Sequence, residues 1–290
     1  NPDEVLRPFD RSRTVLEHRG ITKLNLTTGP QAITGSTRMQ AATIETYLLG
    51  AILETGVQAE LEKHLTPDQM SALGFVQGTG LTERLRSFKE LDEELSGARK
   101  DLSRFVLVES DTYARGGRVG YCAGTGLLPM FVDCAERSPT FHLFPLDSKR
   151  DKQKKSWLTI FTPAADGDEA WNKFLGRPFL GLPHEVFRTQ FEERIEDPYL
   201  RRAALASLDQ AGSEQRDLYD FALTEENLGG FAPGEKDLGV LVLVDREAEA
   251  LSDPDSPFSR YVTQLRQSGT QAVLIMVGEI PGQVIADIKR

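Results

Sequence analysis

Two short runs of continuous apolar residues constrain the fold of this sequence more than any other feature. They cover residues 240–244 and 272–277, and both are rich in β-branched side chains. Such runs are typical of central parallel strands that helices cover on both faces. A further buried strand is predicted at 118–123, because a glycine turn at 124–126 joins it to an apolar helix at 127–135. The sequence therefore predicts an α/β protein with a mostly parallel sheet.

The other elements are predicted from the spacing of apolar residues. An apolar stripe over residues 41–53 predicts a helix that packs on a sheet. From residue 82 the spacing predicts two helices in line, or one long helix kinked at Gly97. Three more strands are expected, at residues 21–26, 139–145 and 157–161. The strand at 157–161 could run antiparallel to the others.

The composition indicates a soluble protein of a reducing compartment. Of the 290 residues, 39% are hydrophobic, and no apolar run is long enough to span a bilayer. Cys122 and Cys134 are the only cysteines and stand apart, so a cytoplasmic location is the expectation. The net charge of −10 opposes a nucleic-acid or anionic-membrane partner. A small anionic ligand stays compatible with this charge, because a local pocket can oppose the global field.

The stretch before the helix at 41–53 carries the chemistry of anion capture. Thr34, Gly35, Ser36 and Thr37 place hydroxyls and a flexible backbone where unpaired helix N–H groups and the positive dipole end favour an anion. Arg38 adds a charge that can bind a phosphate or carboxylate with two parallel hydrogen bonds. An ordinary helix cap explains the same hydroxyls without any ligand. Both interpretations remain open at this point.

Two weaker candidates lie outside this stretch. Glu45 follows Arg38 by about two helical turns, so it could approach a ligand or pair with the arginine. Thr125 is the only residue with a hydroxyl in the glycine turn at 124–126. The later strand at 240–244 ends in the acidic run 245–247, and these like charges would oppose an anion at the end of that strand. The histidines lack the spacing of metal ligands, so no metal site is predicted; they are His18, His64, His142 and His184.

A basic cluster follows the predicted strand at 139–145. Five positive side chains fall within seven residues, namely Lys149, Arg150, Lys152, Lys154 and Lys155. The cluster could guide an acidic partner or a sugar phosphate. A solvated loop is the alternative, because no aromatic residues interleave with the charges.

Residues 29–39, with the sequence GPQAITGSTRM, resemble the signature of the sugar isomerase (SIS) domain family. This family includes the N-acetylmuramic acid 6-phosphate etherases and the glucokinase regulatory proteins, and Asn1-Pro2 also matches its pattern. The resemblance implies a three-layer α/β/α sandwich with two SIS units, the first only partly present. Residues 1–78 would form the C-terminal part of the first unit. Residues 79–290 would form connecting helices and a second, degenerate unit that ends before it is complete.

The resemblance also implies a function. It points to a phosphosugar-binding regulator of carbohydrate metabolism, with the sugar phosphate bound by Gly35, Ser36, Thr37 and Arg38. The implied ligands are a hexose 6-phosphate or an amino-sugar phosphate, with no cofactor. The implied partners are a protein such as a sugar kinase, or further copies of the chain.

Two other functions stay open. One is etherase-type lyase chemistry on N-acetylmuramic acid 6-phosphate, and the other is a non-catalytic SIS scaffold. The resemblance places the acid-base glutamates of the etherases upstream of the signature, so no residue here inherits a catalytic role. The family also has Glu where Gln31 stands and Lys where Gln40 stands, and losing that lysine removes a positive charge near the anion.

Overall fold

The computed structural model describes residues 2–181, 184–210, 214–278, 280 and 282. The chain divides into two compact units, one up to Ser103 and one from Arg104 onward. Asn1, which contributes to the SIS resemblance, lies outside the described residues, as does the C-terminal stretch 283–290. No helix in the described part of the chain is both long and apolar enough to cross a membrane.

The described residues of the first unit form helices and no strand. The ring of Tyr47, in the long third helix, packs against that of Phe88 with 4.7 Å between the ring centroids. The Tyr47 hydroxyl donates a hydrogen bond to the Arg84 carbonyl. Arg84 in turn donates to the Gln58 side chain at 2.9 Å. These contacts join the third and fifth helices. The helices are α1 Asp3–Leu6, α2 Asp10–Glu17, α3 Gln40–Leu61, α4 Pro67–Ala72 and α5 Leu81–Gly97. Helix α6, Arg99–Ala114, begins in this unit and continues into the second.

The prediction of a strand at residues 21–26 is wrong, because these residues form neither a helix nor a strand. A strand needs a partner for its backbone groups, and the described part of the first unit offers none. Helix α3 is confirmed, but it packs on α5 and not on a sheet. Its buried residues are Ala51 and Gln58, whereas Leu53 of the predicted stripe is 67% exposed. The two helices meeting at Gly97 are confirmed as α5 and α6.

The second unit contains a four-stranded parallel sheet with helices on both faces. The order of the described strands is β2-β1-β3-β4, and every neighbouring pair is parallel. This confirms the predicted α/β class and its mostly parallel sheet. The strands are β1 Val119–Ala123, β2 Leu158–Phe161, β3 Leu238–Val244 and β4 Gln271–Val277.

Apolar side chains from both faces of the sheet form the core of this unit. One face packs Leu241 and Leu243 against Phe258 and Leu265. The other face packs Ile160 with helix α7 and the aromatic side chains that follow β2. The helices of the unit, with one 3-10 helix at Asp245–Ser252, are α7 Leu127–Phe141, α8 Gly167–Leu175, α9 His184–Arg194, α10 Pro198–Gln210, α11 Glu214–Leu218, α12 Glu225–Phe231 and α13 Pro257–Gln267.

Three strand predictions need correction in this unit. The prediction of a strand at residues 139–145 is wrong, because α7 continues through Phe141. His142 then ends the helix by adopting the left-handed conformation, with φ 55°. Strand β2 is confirmed, but it runs parallel to β1 and not antiparallel. Strand β3 is central as expected, whereas β4 is an edge strand among the described ones and its Val277 is 47% exposed.

The segment after α11 continues the sheet beyond β2. Thr162 donates its N–H to the Phe221 carbonyl and the Leu223 N–H donates to the Thr162 carbonyl, both at 2.8 Å. Asp220 anchors this segment, since its carboxylate accepts from Lys149 at 2.9 Å and from the Ala222 N–H at 3.0 Å. Burial raises the pKa of Asp220, but the bonds from Lys149 and Ala222 outweigh it, so the net pKa is lowered.

We predict that Tyr261→Phe lowers the free energy of unfolding by about 1–2 kcal/mol, because a buried hydrogen bond to the Gly120 carbonyl is lost. The fully buried Tyr261 hydroxyl donates to the Gly120 carbonyl of β1 at 2.8 Å. Urea unfolding at neutral pH measures the change, and the slope with urea should not alter. Tyr199→Phe is the control, since Tyr199 is 73% exposed. An equal effect of the two substitutions would contradict the prediction.

Asp220→Asn should lower the free energy of unfolding by about 1–2 kcal/mol at pH 7, because the ionised carboxylate is the form that these donors stabilise. A carboxyl with a lowered native pKa stabilises the fold above its unfolded pKa of about 4 and loses this effect as pH falls. The difference between wild type and variant should therefore shrink below pH 4. Urea unfolding at pH 7 and pH 3 measures it, and a constant difference would refute the assignment.

Candidate functional site

The signature loop, residues 29–39, is a closed turn that leads into α3. Gly35 adopts φ +86°, a left-handed conformation that favours glycine. The Ser36 N–H donates to the Ile33 carbonyl at 3.1 Å. The Gln40 side chain closes the loop by accepting from the Ala32 N–H at 3.0 Å. Gln40, one of the two departures from the SIS pattern, therefore has a structural role in this loop.

Helix α3 begins at Gln40, and the side chain of its N-cap residue, Met39, makes no capping hydrogen bond. The Thr37 carbonyl accepts from the Ala42 N–H at 2.8 Å, so the backbone of the loop leads directly into the first turn. The helix-cap interpretation of the loop hydroxyls stays a prediction. No acidic residue stands in the first turn of α3, so no carboxylate of that turn opposes the positive end of the helix dipole.

The four predicted site residues differ in exposure. Gly35 and Thr37 are exposed and Arg38 is half-buried, whereas Ser36 has no exposed surface. A ligand on this surface therefore meets Thr37 and Arg38 before it meets Ser36. Ser36 is placed to hold the loop, since its N–H closes the turn from inside.

Glu45 lies on a separate part of α3. Its side chain is exposed and lines a cleft of about 480 Å³ together with Leu24, Lys23 and Asp3. The four predicted site residues of the signature loop are not among the described residues that line this cleft. The approach of Glu45 to an anion at Arg38 thus stays a prediction.

The carboxyl ends of β1 and β3 meet at the point where the strand order reverses. From β1 the chain continues to β2 on one side, and it later returns to place β3 on the other side. In open α/β sheets, ligands bind in the crevice at such a switch point. Thr125 lies here, in the turn between β1 and α7.

A carboxylate of the chain occupies this turn. Glu247 Oε1 accepts from the Thr125 N–H at 2.9 Å and from the Thr125 hydroxyl at 2.8 Å. Its other oxygen accepts from the Val244 N–H at 2.9 Å. A Cβ at Gly124 would overlap the Glu247 carboxylate, so only glycine allows this close approach. The donors that a phosphate would use are therefore bonded to Glu247.

Sequence reasoning identified the acidic run at 245–247 but not the bond that Glu247 makes. The available signal was the position of Glu247, three residues after the end of β3, where a glutamate can bond back to the backbone N–H of Val244. No local pattern indicates the second partner, Thr125, because it lies far away in sequence.

The buried tyrosines and cysteines of the second unit are uncharged at neutral pH. Tyr113 and Tyr121 both donate to Glu109 Oε1, at 2.7 and 2.8 Å, and burial raises the pKa of both phenols. Burial also raises the pKa of the Cys134 thiol to about 12 and that of Cys122 further, so both thiols are protonated at neutral pH. Among the described residues, no three His, Cys, Asp or Glu side chains gather into a group that could hold a metal ion.

Comparisons with family models, with curated proteins and with solved structures find no match to this chain. The SIS resemblance therefore rests on the signature loop and on the pattern of the sequence around it. The fold class rests on the structure itself.

We predict that Glu247→Ala lowers the free energy of unfolding by about 1–3 kcal/mol, because it leaves the donors of Thr125 and Val244 without their carboxylate. Glu249→Ala is the matched control on the same 3-10 helix. Its side chain pairs at the surface with Arg246, and such a pair contributes about 0–1 kcal/mol. Urea unfolding compares the two variants. Equal losses would show that the Glu247 bonds add nothing beyond a surface charge.

Proposed function

We propose that this protein binds a phosphosugar at the signature loop and thereby regulates a partner in carbohydrate metabolism. The observation that carries the proposal is the closed turn at Gly35, which presents Thr37 and Arg38 beside the start of α3. The Gln40 bond to Ala32 holds this turn together from the helix side.

The chemistry of the loop supports an anionic ligand. The Arg38 guanidinium would bind phosphate oxygens with parallel N–H bonds, and the Thr37 hydroxyl would add a further donor. The N-cap residue Met39 makes no side-chain bond to the start of α3, and the first turn has no acidic residue, so the helix dipole favours an anion at the same place. Ser36 would act from within the turn, because its side chain is buried.

The second unit supports a single phosphate site per chain. Glu247 already bonds the Thr125 turn, and a second anion there would meet a like charge. This observation also favours a second candidate function, the non-catalytic scaffold. In that case the signature loop would be a structural remnant, and the chain would act only by holding other subunits or partners.

We expect one member of a hexose phosphate panel to raise the melting temperature of the protein. The panel includes fructose 6-phosphate, glucose 6-phosphate, glucosamine 6-phosphate and N-acetylmuramic acid 6-phosphate. At about one hundred times its dissociation constant, a ligand adds about 2.7 kcal/mol, which is roughly 5–10 °C for a domain of this size. Differential scanning fluorimetry measures the shift.

The shift should vanish in Arg38→Ala and persist in part in Arg38→Lys, which keeps the charge but loses the two-pronged geometry. Arg86→Ala is the matched control, because it removes the same charge from an exposed position on α5 in the same unit. A shift of wild-type size in Arg38→Ala would overturn the site. The absence of any shift across the panel would favour the scaffold.

A further inference from the structure

The second unit contains a slot along the outer edge of β2. We use the name edge slot for the space between β2 and the segment at residues 218–221, with α12 and the loop at 146–149 completing its walls. Its volume is about 350 Å³, at the lower end of the range for ligand sites. Apolar side chains of Leu146, Phe221 and Phe231 line it beside several charged groups.

The backbone of β2 directs alternate residues to its two edges. The Val119 N–H donates to the Trp157 carbonyl at 2.8 Å, and β1 and β2 pair in the register Val119 to Leu158. In a parallel pair this pattern assigns the backbone groups of Thr159 and Phe161 to β1. The N–H and C=O of Ile160 therefore point outward, toward the edge slot.

The pairing that closes one end of the edge slot does not reach Ile160. At Thr162 the segment pairs with the sheet through its bonds to Phe221 and Leu223. Two residues before Phe221 in the same segment, the Tyr219 carbonyl accepts from the Trp171 indole N–H at 2.9 Å and not from the Ile160 N–H. Within the described part of the chain, neither backbone group of Ile160 has a hydrogen-bond partner. Ile160 is only 2% exposed, and buried backbone groups are almost always paired.

The other end of the edge slot is basic. Lys149 and Lys154 line it, next to the residues that lead into β2. Lys149 pairs with Asp220, whereas Lys154 makes no ion pair with any residue that the structure describes. Asp147 at this end is engaged, because its carboxylate accepts the N–H groups of Lys155 and Ser156. Lys154 is therefore the positive group at this end that a ligand carboxylate can meet, although the slot as a whole is lined by acidic and basic side chains in equal number.

We propose that the edge slot binds the carboxyl-terminal end of a peptide as a short added strand. The peptide runs antiparallel to β2, pairs its backbone with Ile160 and places its terminal carboxylate against Lys154. Strand addition of this kind gives affinity through the main chain and specificity through pockets for alternate side chains. Strand β2 spans only Leu158–Phe161, so about three peptide residues fit. The apolar lining selects an apolar residue among them.

This proposal does not depend on phosphosugar binding, because it concerns other residues in the other unit. The proposal thus gives Lys154 of the basic cluster a specific ligand, the terminal carboxylate of a bound peptide strand. Sugar phosphates are a separate class, and the experiment distinguishes them.

The test is an NMR titration of the ¹⁵N-labelled full chain with the capped tripeptide acetyl-Val-Thr-Val, whose carboxylate is free. We expect a saturable change in the chemical shift of the Ile160 amide and slower exchange of its proton with water. The same peptide with an amidated C-terminus should bind about tenfold more weakly, because it loses the charge that Lys154 meets. Equal binding of the two peptides would overturn the role of the carboxylate.

Two pairs of variants locate the site. Gly230→Leu should abolish binding, because Gly230 lines the edge slot and an added side chain there meets open space. Gly229→Leu is its control on the same helix, since Gly229 also faces open space but does not line the slot. Lys154→Gln should weaken binding about tenfold, and Lys152→Gln should leave it within about twofold. The amide spectrum of each variant without peptide confirms that it is folded.

Four results would overturn the proposal. One is an unchanged Ile160 amide at saturating peptide, and another is undiminished binding by folded Gly230→Leu. The third is equal affinity for acetylvaline alone, which would make the edge slot a site for a small carboxylate and not for a strand. A response of Ile160 to fructose 6-phosphate but not to the peptide would assign the basic end to sugar phosphates.

Discussion

The sheet of the second unit depends on a close approach of α13 to two paired glycines. Gly120 of β1 and Gly239 of β3 lie directly opposite each other in the register. A Cβ at Gly239 would overlap the Leu265 side chain, and one at Gly120 would lie 2.7 Å from the Tyr261 hydroxyl. The missing side chains create a flat area on the sheet, and α13 fills it with one apolar and one aromatic residue. Because protein cores are close-packed, neither strand can change at this position without moving the helix.

The same pair of strands determines where function can reside. Their carboxyl ends form the crevice that an α/β sheet normally offers to a ligand, yet Glu247 bonds both the Thr125 turn and the end of β3. The crevice therefore serves the stability of the fold. The two surfaces that we propose for binding lie elsewhere, at the signature loop of the first unit and at the outer edge of β2. A ligand at either place would leave the central strands undisturbed.

The sequence predicted elements whose signal is local and missed those that depend on distant partners. The apolar runs at β3 and β4 and the glycine turn after β1 predicted the parallel sheet, because burial on both faces leaves a compositional trace. Residues 21–26 also suggest a strand, with apolar residues set between polar ones, but the described part of the first unit provides no neighbouring strand. The orientation of β2 and the bond between Glu247 and Thr125 are set by contacts between residues far apart in sequence. Nothing in the local sequence encodes either one.

The pairing of the strands has a consequence for how the second unit folds. β3, α13 and β4 are consecutive along the chain and form a parallel pair with its crossover helix. β1 and β3 also pair, but a long intervening stretch of helices and loops separates them in sequence. Closing a longer loop costs more chain entropy, and non-local pairing is slow. We therefore expect the unit of β3, α13 and β4 to form early, with one edge of β3 open, and the non-local pairing of β1 with β3 to follow more slowly.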